Sequence, residues 1–151
     1  MTTEIFKAFA DRFNKSDTAK PASALEVEKL EKEFKVFMPA DFKDFLLRVG
    51  NIFTPNILSL IVDKNIELNG VQEFWDIERI TWDKKNEWTS KLETDLIPFA
   101  SDCLGNLFAF MASDIKQQKQ TAVVYLFDHE FDTIEKKAAS FTEWVDGFNK
   151  I

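Results

Sequence analysis

The single histidine of the chain, His129, lies between Asp128 and Glu130, and the single cysteine is Cys103. A histidine beside carboxylates offers the residue types of a metal site or a general base, and a cysteine with a histidine those of an activated nucleophile. The spacing argues against both. Adjacent strand residues point to opposite faces, so Asp128, His129 and Glu130 converge on one ion only if a turn folds them together. The competing reading of His129 is a turn residue held by hydrogen bonds. Cys103 stands beside Gly105-Asn106 with no neighbouring Lys or Arg in the sequence to lower its pKa, and reads as a plain small side chain. Four glycines in the whole chain make no GxGxxG or Walker pattern, so Gly105-Asn106 reads as a turn and not a phosphate cradle. The expectation is a protein without catalytic, cofactor or metal-binding residues.

Charge suggests a different chemistry. Between Leu92 and Glu135 there are eight acidic and two basic residues, so this block carries minus 6 of a total of minus 7. Such a charge repels phosphate backbones and attracts a basic partner. Asp102, Asp128, Glu130, Asp132 and Glu135 are the candidate contacts, expected on the solvated face of a sheet; the plainer reading is an acidic surface that only keeps the protein soluble. Trp75, Trp82 and Trp88 are candidate interface anchors, because Trp is enriched at binding hot spots, with core packing as the competing reading.

These residues must be positioned by the elements of one domain, 1–151, since no repeat, low-complexity tract or linker divides the chain. Sixteen Phe and four Trp against one Tyr supply rings with little polar capacity, which makes Phe the main core material. A lone cysteine, an opening MTTEIFKAFADRF without an apolar signal core, and no apolar run near the roughly 18 residues of a membrane span lead to the expectation of a cytoplasmic protein.

Ile5, Phe6, Phe9 and Phe13 recur at helical spacing. Ser23 with Glu26 forms a capping box before Val27, Leu30 and Phe34, predicting a helix over Ser23 to Lys35. Pro39 suits a first helical turn, and Phe42, Phe45, Leu46 and Val49 follow as one stripe that stops at Gly50-Asn51. The short apolar run Ile57 to Val62 predicts a buried strand turning at Asp63 to Asn65. Val71 to Trp88 reads as a short strand or turn and then a helix. Leu96 to Ala100 and Leu107 to Met111 predict a hairpin, with Pro98 at a sheet edge or beside a bulge. Ala122 to Phe127 and Thr133-Ile134 are further strands, and Ser140 with Glu143 caps a last helix to Asn149. Helices, then antiparallel strands, then a helix is an α+β order.

Four stretches, ALEVEKLEKEFKVFMPADFKDFLLRVGN, DLIPFASDCLGNLFAF, AVVYLFDHE and SFTEWVDGF, resemble in order the signatures of the SUKH superfamily, which includes the fungal Smi and Knr cell-wall regulators and many bacterial immunity proteins. The likeness runs from about Ser23 to Phe148, and is vaguest over Leu68 to Leu92. Met38-Pro39 stands where the family has Leu-Pro, and Gly50-Asn51 reverses its usual Asn-Gly. The resemblance implies a curved antiparallel sheet packed by helices and a role in binding protein, in bacteria often the neutralisation of a toxin, commonly a nuclease. On that implication the acidic residues would meet the Lys and Arg of a toxin whose own substrate is anionic. The alternatives are an adaptor that binds a host protein, as the fungal relatives suggest, and last an enzyme using His129 and Cys103.

Overall fold

Ser23 and Glu26 exchange the reciprocal bonds of a capping box, Glu26 N donating to Ser23 Oγ and Ser23 N to Glu26 Oε1, each at 3.1 Å. The helix they start, α2, covers Ala24–Phe34, after α1 at Thr2–Phe13. This geometry comes from a computed structural model that describes residues 2–15, 17–86 and 95–151. Helix α3 covers Ala40–Arg48, and past its end Gly50 turns the chain at φ +75, where a Cβ would lie 1.9 Å from the Lys20 carbonyl oxygen. Only glycine fits so close a backbone approach.

Strand β1 (Ile52–Phe53), helix α4 (Asn56–Lys64), strand β2 (Glu73–Phe74) and helix α5 (Ile77–Asn86) follow. Strands β3 (Leu96–Ser101), β4 (Leu107–Met111), β5 (Val124–Asp128) and β6 (Thr133–Ala138) come next, with a 3-10 turn at Ala112–Ile115 after β4. Helix α6 (Phe141–Asn149) ends the fold. The six strands pair in sequence order, every neighbour antiparallel, in an α+β arrangement.

One element differs in kind from the sequence expectation. Ile57 to Val62 is helix, not a buried strand. A six-residue apolar run does not disclose its period. Here Ile57 and Ile61, four apart, face the core while Leu58 and Val62 face solvent, and Asn65 closes the helix in the left-handed region at φ 52. The two-residue strand β1 was not anticipated. Pro98 lies in the third strand of six, so its lack of a donor is absorbed by the register shift between Pro98 and Ala100, not by an edge position.

The expected solvated sheet face is also corrected. Leu96 to Ala100 and Leu107 to Phe110 are buried residue after residue, so β3 and β4 are covered on both faces. Among the described strands, polar exposure is greatest on β6 and at the strand ends, with Tyr125 of β5 half-buried.

On one face, rings from every layer interlock. Phe141 lies 5.0 Å from both Phe42 and Phe45, 5.8 Å from Phe6 and 5.6 Å from Phe99, mostly edge to face. Trp144 reaches Phe108 at 4.7 Å. Helix α1 is fastened to α6 by polar bonds at its rim: Arg12 donates to the carbonyls of Phe148, Asn149 and Ile151, and Asn149 Nδ2 to the Ile5 carbonyl.

Asp41 is the buried acid among these rings. Its Oδ2 accepts from Thr142 N at 3.0 Å and Thr142 Oγ1 at 2.8 Å, while Oδ1 accepts from its own neighbour, Phe42 N, at 2.8 Å. The carboxylate thereby joins the starts of α3 and α6. Burial pushes its pKa up, against the pull of those hydrogen bonds. Asp41→Ala leaves the Thr142 donors unpaired and is expected to cost about 2–3 kcal/mol in urea unfolding. The sign of the pH effect follows from the raised pKa: above the ordinary aspartate range the native state holds more protons than the unfolded chain, so Asp41's contribution declines as pH rises. Asp41→Asn cannot titrate, and its stability deficit relative to wild type is expected to narrow from about pH 4 upward. A deficit that widens would reverse the assignment.

Candidate functional site

The antiparallel register sets Ser101 opposite Leu107 and Leu107 opposite Phe127, which brings the β3–β4 loop and the β5–β6 turn to one end of the sheet. Glu73 pairs with Ser101, so the entry to β2 reaches the same end. Four of the five candidate carboxylates, Asp102, Asp128, Glu130 and Asp132, sit on these two turns; Glu135 lies farther along β6, opposite Leu126.

The carboxylates do different work. Asp102 is half-buried and holds its own loop: Oδ1 accepts from Leu104 N at 2.8 Å and Asn106 N at 2.9 Å, and Oδ2 from Asn106 Nδ2 at 3.0 Å. Asp128 Oδ1 likewise accepts from Glu130 N at 2.9 Å and Phe131 N at 3.2 Å, an Asx turn. Both therefore serve the fold first. Glu130 and Asp132 are exposed, Asp132 in the left-handed region at φ 55, and Glu135 pairs with Lys137 at 3.0 Å.

His129 does belong to a hydrogen-bonded turn. Because the Asn106 amide gives its Nδ2 to Asp102, its Oδ1 faces His129, at 3.0 Å from Nδ1. That nitrogen must then carry the proton and donate. The His129 ring also packs over Gly105, where a Cβ would come within 3.3 Å of it. The chain Asp102, Asn106, His129 thus ties the two turns together. Cys103 is exposed in the same loop. Among the described residues no group of three or more His, Cys, Asp and Glu is gathered to hold a metal.

The three tryptophans part company. Trp75 is 2% exposed, donates Nε1 to Ser101 Oγ at 3.1 Å and carries Arg79 4.3 Å above its ring, so it is core and not open surface. Trp82 is 54% exposed on α5, away from the two turns in sequence and element. Trp88 lies outside the described residues.

Sequence reasoning missed the apolar part of this end. Leu104 is 70% and Phe131 73% exposed at the tips of the two turns. The available signal was a large apolar residue inside a segment otherwise built for a turn, SDCLGN and DHEFDT. Asn106, a turn former by its sequence context, is also the link between the loops.

Asn106→Ala removes the donor to Asp102 and the acceptor for His129 together, and is expected to cost about 1–3 kcal/mol. His129→Ala, at an exposed position, is expected to cost about 1 kcal/mol or less. Chemical denaturation of the two variants checks the order; a larger loss for His129→Ala would show that the imidazole does more than bridge the turns.

No helix among the described residues is long and apolar enough to cross a membrane. No curated protein matches the chain. A family model does, that of the SMI1 / KNR4 family (SUKH-1), over residues 21–147, which takes in the chain from before α2 into α6 and leaves α1 outside. With most of the sequence covered, and with the hairpin, helix α2, the capped start of α6 and the paired turns all inside the match, the chain belongs to the SMI1 / KNR4 family (SUKH-1).

Proposed function

We propose that this protein is a non-enzymatic cytoplasmic binding domain of the immunity type, which neutralises a toxic protein rich in Lys and Arg, such as a nuclease. The observation that carries the reading is the acidic end of the sheet, where exposed Glu130 and Asp132 stand on a turn braced to its neighbour by Asn106 and His129. Family membership supports a protein-binding role. A rigid, acidic projection suits a partner that itself binds phosphate: opposite charge raises the rate of encounter, and a preformed turn loses little entropy on docking.

Affinity capture from the source cells, followed by co-expression, tests this. The captured protein is expected to be basic, to stop growth when expressed alone, and to be tolerated when this chain is co-expressed. A harmless host protein as the captured partner would favour an adaptor instead. His129→Ala and Cys103→Ala are each expected to keep protection, whereas loss of protection by a folded variant would favour catalysis.

Charge reversal separates steering from contact. Asp128 is needed by its turn, so the informative pair is Glu130→Lys with Asp132→Asn, asparagine being tolerated in the left-handed region. Association with the captured toxin is expected to slow about ten-fold at low salt and to lose much of its salt dependence. The same change in charge at Glu28→Lys with Glu78→Gln, on α2 and α5, is expected to do little. Equal effects of the two pairs would reject docking at the sheet end.

A further inference from the structure

Beside the acidic turns lies a groove of about 360 Å³, walled by Pro55 and Leu58 of the α4 region, by the segment from Leu68 to Gln72, and by Cys103 and Leu104. Its lining is more apolar than polar in character, and Leu58, Leu68 and Leu104 are all exposed along it. Val62, one turn beyond Leu58 on α4, is 68% exposed and extends the apolar strip. Apolar side chains gathered in a groove on a water-facing surface mark a site of association more often than scattered ones do.

The walls are held in place by backbone bonds. Gln72 N donates to the Ser101 carbonyl at 2.9 Å, Thr54 N to the Gln72 carbonyl, and Thr54 Oγ1 to the Val71 carbonyl at 3.2 Å. Gly70 sits against α4, where an added Cβ would be 3.4 Å from Ile61 Cδ1. The groove is therefore preformed, not a gap that closes when its ligand leaves.

The segments around it are mostly negative. Residues 55–72, 101–107 and 128–133 contain six carboxylates, Asp63, Glu67, Asp102, Asp128, Glu130 and Asp132, and one cation, Lys64. The β5–β6 turn, which carries the exposed Phe131, packs through His129 on Gly105 of the same loop that lends Cys103 and Leu104 to the groove wall. An acidic rim around an apolar slot excludes nucleic acid and disfavours a second copy of this acidic chain. It fits a protein segment that offers an apolar side chain flanked by Lys or Arg.

We propose that this groove, with Leu104 and Phe131 as its apolar lips, is the docking slot for such a basic, apolar-tipped segment of the partner protein. The proposal deepens the protein-binding reading and rests on it. It assigns affinity to the groove and steering to the carboxylates, two contributions that separate under mutation.

Cys103 provides the test, being exposed, in the groove wall and the only thiol of the chain. Its rate of reaction with a coloured aromatic disulfide is measured on the intact protein, alone and with three synthetic peptides: alternating Lys and Leu, alternating Glu and Leu, and alternating Lys and Ser. At saturation the Lys/Leu peptide is expected to slow labelling about ten-fold or more, and the other two to have little effect. Leu104→Ser with Phe131→Ser, both exposed and so expected to fold, should weaken that protection about ten-fold or more. Unchanged labelling with the Lys/Leu peptide would overturn the proposal. So would equal protection by the Lys/Ser peptide, which would mean charge alone, or labelling that slows with protein concentration without peptide, which would mean self-association. If the Ser double variant still protects cells from the captured toxin as wild type does, the groove is wrong while the protein-binding reading stands. If no protein partner is captured yet the Lys/Leu peptide protects Cys103, the slot stands and the immunity role fails.

Discussion

Phe141 is the ring on which the layers of this fold converge, and its placement is decided by polar groups. Ser140 Oγ caps α6 by accepting from Glu143 N at 3.0 Å, and Asp41 binds Thr142 through both its backbone and its hydroxyl. These bonds flank Phe141 in the chain and leave it one position to occupy. From there it meets rings of α1, α3, β2, β3 and β4. Phe carries no hydroxyl, so such a cluster needs no internal hydrogen bonds, and its strength comes from area removed from water with an edge-to-face bonus. The cost is specificity, since rings alone accept several arrangements; the buried Asp41–Thr142 link supplies what they lack. Helix α1 belongs to the same unit. Although it lies outside the matched residues 21–147, its Phe6, Phe9 and Phe13 are fully buried, and Arg12 closes the carbonyl end of α6.

A core this interlocked lets the strand ends be built from short-range chemistry. The β3–β4 loop is shaped by one carboxylate accepting from residues two and four positions on, and the β5–β6 turn by another accepting from two and three positions on. Neither turn requires burial. Asn106 and His129 then couple them, so the two loops are bonded to each other although the hairpins that carry them are consecutive and not nested. This is a positioning use of histidine: one ring nitrogen donates to Asn106, and the ring covers a glycine.

The sequence disclosed those elements whose signals are local. The Ser-x-x-Glu patterns at Ser23 and Ser140 marked two helix starts to within a residue, although only Ser23 closes the reciprocal box and Glu143 accepts instead from Ala139 N. The Gly105-Asn106 turn placed the hairpin of β3 and β4. It failed where the outcome depends on tertiary contacts. Ile57 to Val62 has the composition of a strand, and it became a helix because Ile57 and Ile61 find the core while a left-handed Asn65 ends the turn. Strands of two residues, β1 and β2, are made by their neighbours and have no period to read. At the candidate site the carboxylates were legible by charge. Their sharing of one end required the register of β3, β4 and β5, and the groove required α4 in its helical form, which the strand reading precluded.

Net charge counts every carboxylate alike, whereas the structure divides them by what they face. Asp102 commits both oxygens to its own loop, Oδ1 to backbone N–H groups and Oδ2 to the Asn106 amide, and Asp128 commits Oδ1 to the backbone of its turn, so their charge remains while much of their bonding capacity is taken. Glu130 and Asp132 face water and keep both. At physiological salt a field fades over about 8 Å, so only charges close to the docking surface act on an approaching partner. All four stand on two turns that the same Asn106 joins, and hence act as one local field instead of four dispersed charges. Specificity cannot come from that field alone, because any cation answers it. It has to come from what lies beside that field, and at this end of the sheet that is the exposed apolar surface of the groove, Leu58, Leu68 and Leu104, which contributes only when a partner fits closely enough to exclude water from it.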